Sequence, residues 1–114
     1  MSAITTHVLD TARGRPASGI PVVLEIRGAD QKWKTLGKGS TDTDGRLKNL
    51  LAAGASLEAG IYRLTFDVAA YFRAQNVESF HPEISVLFAV RDTVQHYHVP
   101  LLLSPYGYTT YRGS

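Results

Sequence analysis

Cysteine is absent from the chain. Disulfides, thiolate zinc centres, iron–sulfur clusters and a cysteine nucleophile are thereby excluded. The compartment stays open on that ground, because a chain without cysteine survives in either redox environment. A charge excess is also missing. Twelve Lys and Arg face ten Asp and Glu, a formal net charge of +2, and the charges are scattered. No basic stripe able to follow a phosphate backbone is visible, so nucleic acid is not an expected partner. The longest apolar runs fall far short of the roughly 20 residues that a membrane-crossing helix needs. The opening Met1-Ser2-Ala3-Ile4-Thr5-Thr6-His7 has no basic region followed by an apolar stretch, which is the form of a secretory signal. The expectations are no membrane partner and a cytoplasmic location. Linkers, low-complexity tracts and repeats are missing too.

What remains is ordinary globular composition, 44% hydrophobic and 19% charged over 114 residues. A chain of this size buries about two-thirds of its surface on folding, enough for one core and one domain over residues 1–114. Alternation with period two dominates and predicts an all-β chain. Val22, Leu24 and Ile26 share one strand face, with Val23, Glu25 and Arg27 on the other. Tyr62, Leu64 and Phe66 alternate with Arg63, Thr65 and Asp67, and Ile84, Val86, Phe88 and Val90 form the clearest inward face. Further strands are expected at residues 5–9, 33–39, 96–103 and 107–112. One stretch, residues 68–75, suits a short helix, with Asp67 as a possible cap and Pro82 beyond its end. Seven to eight short strands and one short helix imply a two-sheet β-sandwich.

The segment at residues 96–103 is apolar on both faces. Val99, Leu101 and Leu103 lie on one side, Pro100 and Leu102 on the other. A strand of that kind is covered on both sides. Pro100 has no N–H to donate and so favours an edge or a bulge. Together these features predict that the outer face meets another subunit.

Few residues stand out for chemistry. The histidines are His7, His81, His96 and His98. His96 and His98 share a strand face, and two imidazoles plus a third ligand can hold catalytic zinc. Spacing alone favours two ordinary strand histidines over a metal site. Arg46 follows Ser40-Thr41-Asp42-Thr43-Asp44-Gly45, a loop of turn formers, and residue type alone favours a surface arginine paired with Asp42 or Asp44. The tail Tyr111-Arg112-Gly113-Ser114 is polar. Tails commonly fray, but the strand leading into this one can hold it to its end.

Several of these segments together are similar to a known family. His7-Val8-Leu9-Asp10, Thr43-Asp44-Gly45-Arg46, His96-Tyr97-His98-Val99-Pro100-Leu101-Leu102-Leu103-Ser104-Pro105 and the closing Tyr106-Gly107-Tyr108-Thr109-Thr110-Tyr111-Arg112-Gly113-Ser114 resemble the transthyretin-related 5-hydroxyisourate hydrolases. The resemblance runs from about Ile4 to the last residue. The closing Tyr-Arg-Gly-Ser is its most specific element, since it separates these hydrolases from the hormone-carrying transthyretins of the same fold. One departure is His81 in Phe80-His81-Pro82, where a second aromatic residue is expected.

The resemblance implies a transthyretin-like sandwich and a homotetramer, a dimer of dimers with sites in the channel between them. It implies hydrolytic opening of 5-hydroxyisourate to 2-oxo-4-hydroxy-4-carboxy-5-ureidoimidazoline in urate degradation. The family's catalytic trio falls on His7, Arg46 and His98. Substrate binding falls on Arg46, Tyr111, Arg112, Gly113 and Ser114. Neither metal nor cofactor is expected. Which histidine is the base stays open. The alternatives are a non-enzymatic carrier of small ligands, with its ligand in the same channel, and a sandwich that only mediates association.

Overall fold

Each stretch of period-two alternation forms a strand. The computed structural model describes residues 2–52 and 54–114. Its elements are β1 Ile4–Asp10, β2 Arg15–Pro16, β3 Pro21–Arg27, β4 Trp33–Ser40, β5 Arg46–Leu47, β6 Gly60–Phe66, α1 Ala69–Arg73, β7 Ile84–Val90, β8 Tyr97–Leu103 and β9 Tyr108–Thr110. The seven longer strands are those expected from the sequence. β2 and β5 are two-residue additions, too short to carry an alternation of their own. One sheet runs β2-β1-β8-β9 with β5 also on β1, and the other runs β4-β3-β6-β7.

The sheets close on a shared apolar core. Ile4, Val8, Val99, Leu101 and Leu103 meet Val22, Leu24, Leu64, Phe66, Ile84 and Val86 across the sandwich. Two buried tyrosines keep their polar ends satisfied. The Tyr62 hydroxyl donates to the Glu58 carbonyl at 2.7 Å and the Tyr97 hydroxyl to the Asp92 carbonyl at 2.8 Å. Phe72 and Val68 seat the short helix against this core.

Two expectations are corrected in detail. The helix is capped at Val68 with no side-chain bond, and Asp67 is not the cap. The Asp67 N–H instead donates to the Pro21 carbonyl, which keeps that residue with the preceding strand. Pro100 marks no edge, because β8 lies between β1 and β9. The missing N–H shows as an interrupted ladder. Pairing of β8 with β9 stops at Leu101 opposite Thr110 and resumes only as an isolated bridge between His98 and Gly113. The Pro100 carbonyl accepts a bond from the Thr110 hydroxyl at 2.8 Å. His81 fills the aromatic position of its segment as an aromatic ring would, edge-on to Phe80 at 5.0 Å and to Tyr108 at 5.2 Å.

Asp10 explains why an acid ends β1. It is 1% exposed, and its Oδ1 accepts the N–H groups of Ala12 and Arg13. Its Oδ2 accepts the Tyr71 hydroxyl at 2.7 Å, which ties the helix to the sheet. Among the described residues, no helix is long and apolar enough to cross a membrane.

Candidate active site

β1 and β8 run parallel, with Thr5 opposite His98 and His7 opposite Pro100. On the other edge of β1, His7 stands directly opposite Arg46 of β5. Cross-strand partners share a face, as do alternate residues of one strand. Thr5, His7, Arg46, His98 and Pro100 therefore project together from the outer face of the sheet, away from the core.

The loop before β5 is built to deliver Arg46 there. Asp42 Oδ1 accepts the N–H groups of Asp44 and Arg46, both at 2.9 Å. The Asp42 N–H in turn donates to the Arg46 carbonyl at 2.9 Å. These amide bonds, the Arg46 N–H first, hold the Asp42 carboxyl below its ordinary pKa. Gly45 has φ +74°, and a Cβ there would lie 2.3 Å from the Val8 carbonyl oxygen. Only glycine lets the turn pass so close to β1. The Asp42 carboxylate is thus taken up by backbone amides, and among the described residues Arg46 makes no ion pair. The surface pairing that residue type alone favoured is not formed.

The histidines are held differently. His7 Nε2 lies 2.9 Å from the Asp44 carbonyl oxygen. A carbonyl can only accept, so Nε2 carries the proton and Nδ1 is the other ring nitrogen left for chemistry. His98 Nδ1 lies 2.8 Å from Thr5 Oγ1. Burial lowers the His98 pKa first, and the positive charges of Arg46, His7 and His96 lower it further. His98 therefore stays neutral at pH 7 beside a guanidinium. A concave surface of about 230 Å³ beside them is lined by Thr5, Arg46, Lys48, His96, His98 and Ser114, with His7 on the same sheet face but outside that lining. An electron-rich, oxygen-bearing ligand suits such a lining.

The tail divides. The Gly113 N–H donates to the His98 carbonyl at 2.8 Å. A Cβ at Gly113 would lie 2.7 Å from His98 Cδ2 and 3.2 Å from Pro100 Cγ, so the chain crosses the imidazole at van der Waals contact. Ser114 then lines the cleft. Tyr111 and Arg112 are not brought to it within this protomer. Both line a second cleft of about 280 Å³ between the β7 and β9 edges. The Arg112 guanidinium lies 4.4 Å over the Tyr97 ring and donates to Gln95 Oε1 at 2.6 Å. Reasoning from sequence missed Thr5 and Lys48. For Thr5 the available signal was its spacing of two from His7 on one strand. His96 and His98 share the Thr5 hydroxyl, and among the described residues no three His, Asp or Glu side chains group closely enough to hold a metal ion.

The HIUase/Transthyretin family model matches residues 4–113. The chain belongs to this family. A 5-hydroxyisourate hydrolase of Salmonella typhimurium is 48% identical over 111 residues, covering 97% of this chain and 80% of that protein. Among solved structures, sea bream transthyretin in complex with thyroxine superposes with a TM-score of 0.90 at 33% identity, covering 98% and 95% of the two chains. The 5-hydroxyisourate hydrolase of Klebsiella pneumoniae superposes with a TM-score of 0.83 at 36% identity, covering 97% and 92%. Hydrolases and transthyretins thus share the HIUase/Transthyretin fold with this chain, and backbone shape alone does not separate them.

Proposed function

We propose that this chain is a cyclic amide hydrolase that opens 5-hydroxyisourate with water, giving 2-oxo-4-hydroxy-4-carboxy-5-ureidoimidazoline in urate degradation. The observation that carries the reading is the convergence on one open sheet face of two imidazoles and a guanidinium that makes no ion pair among the described residues. Water attacking a ring carbonyl builds negative charge on the carbonyl oxygen. It needs a base for its proton and a fixed cation for that charge. His98, neutral because of its surroundings, is the base. Arg46 binds the substrate oxygens and stabilises the oxyanion with its planar fork of donors. His7, held through Nε2, is the second proton carrier. Ser114 and the chain end orient the substrate. Tyr111 and Arg112 contribute through the subunit contact.

A homotetramer, two dimers facing each other across this sheet, completes the site in this reading. Half-buried Leu9 and Leu102 flank the polar groups on the same outer face, as a subunit contact requires. The apolar cleft between the β7 and β9 edges, with exposed Leu87 and Tyr111 beside it, suits the contact within each dimer. A monomer by light scattering at micromolar concentration would overturn the assembly.

The deciding experiment couples urate oxidase to this protein and follows the ultraviolet decay of freshly made 5-hydroxyisourate. Accelerated decay in the wild type, lost on single substitution of His7, Arg46 or His98, is the expected result. No acceleration, with tight thyroxine binding instead, would favour the carrier.

A further inference from the structure

Thr5 stands between two imidazoles. Its Oγ1 lies 2.8 Å from His98 Nδ1 and 3.3 Å from His96 Nε2. Thr5 is 3% exposed, so bulk water does not compete for the hydroxyl, whereas His96 is exposed. A hydroxyl has one proton to give. Its oxygen can also accept from both imidazoles at once, and a continuous chain through Thr5 forms only when the hydrogens along His98, Thr5 and His96 all point the same way. In one direction His98 Nδ1–H donates to Thr5 and Thr5 donates to His96 Nε2, which leaves a lone pair on His98 Nε2. In the other direction Thr5 donates to His98 Nδ1, and His98 Nε2 carries the proton.

We propose that Thr5 is a positioning residue that holds the resting His98 with its proton on Nδ1, and that Thr5 and His96 relay protons out of and back into that imidazole during the reaction. The proposal rests on the hydrolase reading above. As the water oxygen bonds to the ring carbonyl carbon, one water O–H bond breaks and its proton goes to His98 Nε2. His98 Nδ1 passes its proton to Thr5 Oγ1, Thr5 passes its own to His96 Nε2, and His96 gives one to solvent. His98 is then neutral with its proton on Nε2. When the ring C–N bond breaks, the leaving nitrogen takes that proton, and the chain runs backward to restore Nδ1–H. The second water proton leaves from the new carboxylic acid, so the product is a carboxylate and one proton is released.

The charge distribution gives this chain its purpose. Arg46 and Lys48 from the β5 segment, His7 from β1 and His96 face His98, and Ser114 lines the same cleft. A cationic His98 would sit among positive neighbours. The relay lets it accept and return a proton without becoming a lasting imidazolium.

The test uses full-length Thr5→Val, Thr5→Ser and His96→Gln proteins. It combines turnover of 5-hydroxyisourate with ¹⁵N NMR of the His98 side chain in ligand-free protein. Valine keeps the β-branch and removes the hydroxyl. The expected kcat of Thr5→Val is at least about tenfold down with KM within about twofold, and His98 becomes a mixture of tautomers. Thr5→Ser keeps both the rate and the Nδ1–H tautomer. His96→Gln lowers kcat and is rescued by added imidazole, an external proton carrier. Wild-type His98 found with its proton on Nε2, or Thr5→Val with normal kcat and unchanged His98 shifts, would overturn the positioning role. His96→Gln with normal kcat would overturn the relay. If the wild type does not turn over 5-hydroxyisourate, the hydrolase reading fails, while the tautomer comparison still decides what Thr5 does to His98.

Discussion

On the outward face of the β4-β3-β6-β7 sheet an arginine meets a carboxylate, whereas on that of the β2-β1-β8-β9 sheet an arginine meets an imidazole. On the first, Glu25 Oε1 accepts Arg63 Nε at 2.9 Å and Nη2 at 2.8 Å. The same Arg63 lies 4.2 Å over the Trp33 ring. On the second, Arg46 makes no ion pair among the described residues, and His7 and His98 share its face. Both arginines sit on antiparallel ladders that join distant parts of the chain, so the backbone does not separate them. The neighbours do. A carboxylate opposite Arg63 completes its charge, while an imidazole opposite Arg46 leaves the guanidinium free to meet a ligand.

The sharpest break in that comparison is in turnover. Arg46→Ala or His98→Ala is expected to reduce kcat/KM for 5-hydroxyisourate at least about a hundredfold, while Arg63→Ala leaves it unchanged. The coupled urate oxidase assay measures all three. Equal losses in Arg46→Ala and Arg63→Ala would mean that the two faces are not functionally distinct.

Next comes the buried acid that anchors the site strand. Asp10→Ala leaves two amides and the Tyr71 hydroxyl without their partner and is expected to cost about 2–3 kcal/mol in denaturant unfolding. Glu25→Ala, on the solvent-facing sheet, is expected to cost about 1 kcal/mol or less because that pair is partly screened. A reversed order would show that the outer pair carries more stability than the geometry allows.

Gly113→Ala tests the crossing of the tail over His98. The added methyl pushes the tail off the imidazole, and kcat/KM is expected to fall about tenfold with little change in melting temperature. Normal activity would show that the tail can shift without consequence.

The smallest expected effect is on titration. Below its ordinary value of 6.5, His98 stays neutral in the folded protein while the unfolded chain takes up the proton. Stability contributed by this group is therefore present above that value and is lost as pH falls from it toward the folded pKa. Arg46→Met removes one of the lowering charges and moves the His98 pKa upward in an NMR titration. Arg63→Met leaves it in place.

Strand alternation made most of the sandwich legible, because a buried face imposes period two on local sequence. β2 and β5 were not legible, since two residues carry no period. Nor was the interior position of β8. Pro100 argued for an edge or a bulge, and only the strands on either side revealed that one missing ladder bond is tolerated there. The motif resemblance pointed to His7, Arg46 and His98, and the ladders bring them to one face. The same resemblance named Tyr111, Arg112, Gly113 and Ser114 together as substrate-binding residues. Within this protomer Tyr111 and Arg112 line the second cleft instead, with Arg112 seated over the Tyr97 ring.

Composition and periodicity by themselves determined an all-β chain with one helix, an apolar interior and no thiol chemistry, because each follows from residue type and local spacing. Tertiary structure alone decided which polar groups meet. The parallel pairing of β1 with β8 sets Thr5 against His98, and the β5 register sets His7 against Arg46. Those contacts join residues dozens of positions apart, and the pairing of strands, which no single segment encodes, is what brings them within hydrogen-bonding or Coulombic range.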